Sequence, residues 1–109
     1  MFNFIKKLLG FGSSANLRQL IADGAFLVDV RTPGEFAQGH VQGSVNIPLN
    51  TVGAQLNKFQ NKKHIIVFCQ SGMRSSQAKS ILTQNGIVNV TNGGGWQSVN
   101  QIVQQNSNK

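Results

Sequence analysis

Cysteine occurs once in this 109-residue chain, at Cys69, so no internal disulfide can form. A lone thiol suits a reducing compartment, and the chain is expected to be cytoplasmic. It leaves Cys69 as either an inert buried residue or a reactive one. No apolar run approaches the length that spans a bilayer, which excludes a membrane-spanning helix. His, Cys, Asp and Glu are not clustered at metal-ligand spacings, which argues against a zinc site. There is no internal repeat and no low-complexity linker. Acidic residues are scarce, three against ten Lys and Arg, giving a formal net charge of +7. That balance favours anionic ligands or surfaces without naming one. The positive charges are scattered apart from Lys6-Lys7 and Lys62-Lys63. Without a basic stripe interleaved with aromatics, nucleic-acid binding is not expected.

What remains is a globular composition, 39% hydrophobic, of a length that fits one domain. Residues 1–12 read as an extension of mixed apolar and basic character. It is either a loosely ordered terminus or a short amphipathic helix touching a membrane or a partner. Lysines inside the apolar stretch, with no clear small-residue cleavage site after it, argue against a secretory signal. The domain proper is 13–109, with a polar, frayed tail from about residue 104.

Along that domain, short apolar runs alternate with helical periods. Leu17, Leu20 and Ile21 lie at i, i+3, i+4, with Ser13 or Ser14 as cap and Asp23-Gly24 as stop. Ala25 to Val30 reads as a buried strand. Thr32-Pro33-Gly34-Glu35 has the residues of a capping box with proline at the first helical position, and Gly39 keeps that helix short. Ser44 to Ile47 is a brief strand. Val52, Leu56 and Phe59 form another helical stripe. Ile65-Ile66-Val67-Phe68, β-branched and apolar, is the clearest strand and runs into Cys69. A helix from Arg74 to Gln84 places Ala78, Ile81 and Leu82 on one face and ends at Asn85-Gly86. Val88 to Val90 is a last strand, Gly93-Gly94-Gly95 a loop, and Trp96, Val99 and Val103 a final helix. Such alternation predicts an α/β fold, a mostly parallel sheet covered on both faces. The ligand site is then expected at the carboxyl ends of the strands.

Cys69 sits at that end. The segment Cys69-Gln70-Ser71-Gly72-Met73-Arg74-Ser75 joins a strand to a helix, where successive backbone N–H groups can form an anion-binding nest. The helix N-terminus adds its positive dipole end, and Gly72 permits a backbone angle that a side chain resists. Together they favour a nucleophilic thiolate at Cys69, or an anionic persulfide on it. Arg74 brings a permanent charge and a fork of donors for an oxyanion, and Ser71 and Ser75 bring hydroxyl donors. His64 begins the strand that ends near Cys69, on the order of 16 Å away, too far to act as its base. His40 is expected to bond backbone in its own turn, and Trp96 to be core or site wall. The triple glycine lacks the Lys-Ser/Thr of a phosphate loop.

Four residues separate Cys69 from Arg74, and this resembles the Cys-x-x-Gly-x-Arg active loop of rhodanese domains. Related cysteine phosphatases use a loop one residue longer. Leu27 to Phe36 resembles the first signature of the rhodanese family, Gly39 to Leu49 its second, and Gly93-Gly94 with Trp96 its closing motif. The resemblance spans roughly residues 16 to 103. It implies a three-layer α/β/α domain with a four- to five-stranded sheet, since Phe11 to Asn16 shows no clear opening strand. It implies a sulfurtransferase in which Cys69 takes a sulfane sulfur from a small anionic donor such as thiosulfate. The sulfur then passes to cyanide or a thiol, a protein thiol included. Gln70, Ser71, Gly72, Met73, Arg74 and Ser75 would bind substrate, while Asp29, Arg31 and Glu35 support the loops through charged hydrogen bonds. Neither metal nor organic cofactor is implied, and a monomer is expected. Rival readings are a sulfur carrier or non-catalytic binding module on the same fold, and a related phosphatase or arsenate reductase.

Overall fold

The computed structural model describes residues 13–107, so the expectation of an amphipathic extension over 1–12 lies outside them. Ser13 caps α1 (Ser14–Ala22) through its side chain, and Gly24, at φ +86°, turns the chain into β1 (Phe26–Asp29). Thr32 and Glu35 form a complete capping box at the start of α2 (Pro33–Gln38), which stops at Gly39. β2 (Val45–Asn46) is followed by α3 (Leu49–Val52) and a 3-10 turn (Leu56–Phe59). Then come β3 (Ile65–Cys69), α4 (Met73–Gln84), β4 (Val90–Gly95) and α5 (Trp96–Ser107).

The four strands are parallel, in the order β2-β1-β3-β4. All five residues of β3 are buried, and their alternation divides the core. Ile65, Val67 and Cys69 pack with Val28, Val30, Ile47, Val52, Phe59, Ala78 and Leu82, beneath α3, the 3-10 turn and α4. Ile66 and Phe68 face the other way, with Leu27, Val41, Leu17 of α1, and Val99 and Ile102 of α5. Helices thus cover both faces in three layers, and Cys69 ends a strand next to the centre of the sheet.

Three segments differ from the expectations of the sequence. The stripe Val52–Leu56–Phe59 is not one helix, because the chain turns at Gly53-Ala54 between two short pieces; Val52 and Phe59 still reach the same core. The last strand is Val90–Gly95, so the triple glycine is strand rather than loop, while Val88 stands 71% exposed ahead of it. A slip in the β3–β4 register leaves Gly93 as an extra residue between the pairs Val67–Asn92 and Phe68–Gly94. A side chain at Gly93 would meet Ile66 Cγ2 at 2.9 Å and Val99 Cγ2 at 3.0 Å, so packing on both neighbours demands glycine there. Finally, the polar tail is helical to Ser107. Ile102 anchors it in the core, and Asn106 Nδ2 donates to the Arg18 carbonyl of α1 at 3.5 Å.

Candidate active site

The turn from β3 into α4 wraps backbone around the Cys69 sulfur. Gly72, at φ +103°, takes the left-handed conformation that directs its N–H inward, 3.0 Å from Sγ. The Ser75 N–H lies at 3.4 Å, and the Ser75 hydroxyl also at 3.4 Å. Burial pushes the Cys69 thiol up, but the Ser75 hydroxyl and the N–H groups of Ser75, Gly72 and Ser71 outweigh it and hold the thiol below its usual range. Cys69 is 1% exposed, its sulfur in a cradle made almost wholly of main chain. Gly95 gives that cradle room: a Cβ there would stand 3.0 Å from the Gln70 carbonyl oxygen.

Asn92 was not among the residues singled out from the sequence, yet it organises the loop from β4. Its Oδ1 accepts from the Gly94 N–H at 2.9 Å and from the Ser75 hydroxyl at 2.7 Å, and its Nδ2 donates to the Gly72 carbonyl at 3.2 Å. The Gly94 donor and the Gly72 acceptor fix which way the amide points. Ser75 must therefore give its proton to Asn92 and present only its oxygen to Cys69, where it can accept from the thiol. To donate to a thiolate the hydroxyl has to turn away from Asn92. Asn92 and Ser75 are both buried. The one sequence signal was a polar residue in an otherwise apolar strand.

The supporting residues form two ion pairs. Asp29 and Arg31 are buried, joined by Nη2–Oδ2 at 2.7 Å and by Nε to both carboxylate oxygens at 2.9 and 3.0 Å. Arg31 also donates to the Gly39 carbonyl at 2.7 Å and lies 4.6 Å over the Trp96 ring, which ties the end of α2 to the start of α5. Glu35 and Arg74 form a bidentate pair at 2.7 and 3.0 Å, each side chain about one-third exposed at 35% and 34%. Arg74, with the hydrogen bonds from Thr32, holds the Glu35 carboxyl down at about 2. Glu35 in turn holds the Arg74 guanidinium protonated more firmly than usual, with the Cys69 and Asp29 charges adding to the effect.

Two recesses flank the loop. A polar one is lined by Gln38, Gly39, Gln70, Trp96, Gln97 and the two charged residues Arg31 and Glu35. The other is largely apolar, with Val30, Pro48, Leu49 and Ile81 beside Arg74. Trp96 both lines the polar recess and packs against the core layer under α1 and α5. Met73, 73% exposed, points out to solvent and contributes nothing to the cradle by its side chain. His40 Nδ1 bonds the Phe36 carbonyl at 2.8 Å, and His64 bonds Thr91 at 2.9 Å, away from the loop. Among the described residues no three of His, Cys, Asp and Glu gather as a metal site, and no helix is long and apolar enough to cross a membrane.

The chain has counterparts among known proteins. A model of the rhodanese-like domain matches residues 13–101. The thiosulfate sulfurtransferase PspE of Escherichia coli is 39% identical over 74 residues, 66% of this chain and 71% of that protein. A sulfurtransferase of Allochromatium vinosum is 35% identical over 81 residues, 72% of this chain and 76% of that protein. The solved structure of the human single-domain sulfurtransferase TSTD1 superposes with a TM-score of 0.70 at 30% identity, covering 82% of this chain and 93% of that one.

Proposed function

The chain belongs to the rhodanese-like domain family, whose members among its relatives include sulfurtransferases, and from that premise we propose that it moves a sulfane sulfur through Cys69. The observation that carries the reading is the sulfur cradle: a thiol held below its ordinary range by the Ser75 hydroxyl and by main-chain N–H groups at 3.0 and 3.4 Å. Cys69 thiolate attacks the outer sulfur of a donor such as thiosulfate. A new S–S bond forms, the donor's S–S bond breaks, and its electron pair leaves on sulfite. The resulting persulfide is an anion like the thiolate, so the same N–H groups serve both states. An acceptor, cyanide or a thiol, then attacks the outer sulfur and returns Cys69 to thiolate. Thiolate, cradle and the two substrates suffice for these steps, in a reducing compartment that keeps the thiol free.

Incubation with thiosulfate should add one sulfur mass to the chain by mass spectrometry, and cyanide should remove it. Cys69→Ser should show no adduct while keeping its fold, since the change in volume is small. An adduct on that variant would place the nucleophile elsewhere. No adduct on the parent chain from any sulfane donor would leave a binding module.

A further inference from the structure

The chain carries a net charge of +7, but the charged residues lining the recesses beside the active loop are internally paired. Arg31 is taken by Asp29, both buried. Both terminal nitrogens of Arg74, the one cation of the loop itself, are engaged by Glu35. The rest of the polar recess is glutamine amide, glycine and indole, which offer dipoles rather than charge. A dianion entering here meets no net positive charge. It must either share Arg74 with Glu35 or sit beside the Glu35 carboxylate. A singly charged donor suffers about half the repulsion and needs no free guanidinium.

Resting on the sulfurtransferase reading, we infer that Glu35 is a specificity-determining residue, which occupies Arg74 and thereby selects singly charged sulfane donors, hydropersulfides and thiosulfonates, over dianionic thiosulfate. Glu35 does so from a fixed position. Its Oε1 also accepts from the Thr32 N–H at 3.0 Å and the Thr32 hydroxyl at 3.1 Å, so the carboxylate is anchored at the start of α2 and cannot follow an arriving donor. The reaction is unchanged in form: with a thiosulfonate, Cys69 thiolate takes the outer sulfur and the electron pair of the broken S–S bond leaves on the sulfinate.

The test compares thiosulfate with methanethiosulfonate, in which a methyl group replaces one charged oxygen. Glu35→Gln removes the charge and keeps a residue that completes a capping box. It should raise kcat/KM for thiosulfate by roughly tenfold, the size of one recovered charge-assisted hydrogen bond. Methanethiosulfonate should gain clearly less, so the donor ratio moves toward thiosulfate, and the movement should shrink at high ionic strength. A ratio unchanged in Glu35→Gln, or moved toward methanethiosulfonate, overturns the assignment of Glu35. Glu35→Ala, which also loses the cap, must move the ratio in the same direction; purely structural damage would lower both donors alike. Mass spectrometry of each protein after loading separates the two levels. Sulfur on Cys69 with no change in ratio defeats this inference alone, whereas no sulfur from either donor defeats the transfer reading with it.

Discussion

At the residue scale the site depends on where single protons go. Ser75 holds its proton toward Asn92 while Cys69 is a thiol, and can offer it to sulfur only after ionisation. The two variants of this pair should therefore act in opposite directions. Ser75→Ala loses a donor to the thiolate, and alkylation by iodoacetamide at pH 7 should slow by about threefold to tenfold, the worth of one hydrogen bond. Asn92→Leu removes the competing acceptor and frees the hydroxyl for sulfur, so its pH profile of alkylation should move to lower pH. A move of both profiles to higher pH would mean that Asn92 serves only to hold Gly72 in place. This is also the scale at which sequence was least informative. Cys69 and its loop are legible because their chemistry lies in seven consecutive residues. The Ser75–Asn92 bond joins residues 17 apart and the Arg74–Glu35 pair residues 39 apart. Arg74 and Glu35 could each be named from motif, but nothing local says that one occupies the other.

Among the elements, β4 is the one whose composition misleads. Glycine is depleted in strands because it contributes no packing and loses the most backbone freedom, so three in a row read as a loop. Here proximity overrides propensity: Gly93 lies under Ile66 and Val99, and Gly95 under the Gln70 carbonyl. Conversely β3 was legible because burial on both faces leaves only apolar residues, and α2 because its cap, proline and stop are all local. The two glycines should fail differently. Gly93→Ala overpacks the core and should cost about 1–3 kcal/mol in thermal or denaturant unfolding. Gly95→Ala presses on the active loop, so its loss in sulfur-transfer kcat/KM should exceed its loss in stability when both are expressed as free energy. Equal losses at Gly95 would show that the loop yields without disturbing the cradle.

For the whole molecule, stability should lean toward alkaline pH. Glu35 titrates at about 2 in the folded chain against an ordinary 4.5, so its contribution is complete above 4.5 and fades as pH falls toward 2. Cys69 is also lowered, from an ordinary 9.0, so its contribution is complete only above that value and is lost as pH falls through its folded-state titration. Unfolding temperatures between pH 3 and pH 10 should fall on the acid side, less steeply in Glu35→Gln, and rise on the alkaline side, less in Cys69→Ser. An alkaline limb identical in Cys69→Ser would mean that folding does not favour the thiolate.

Burial of Cys69 at 1% exposure also fixes regiochemistry. A sulfur added to it would stand about 2 Å further along the bond. An incoming thiol then meets two electrophilic atoms of unequal access. Attack on the outer one carries the sulfur away, whereas attack on the inner one would expel hydrosulfide and leave the protein in a mixed disulfide. The inner atom is walled by the Gly72 and Ser75 backbone and by Asn92 behind Ser75, so a bulky thiol has no line of approach to it. A loaded chain challenged with a large thiol should therefore come back as the free thiol, without a covalent adduct of the acceptor.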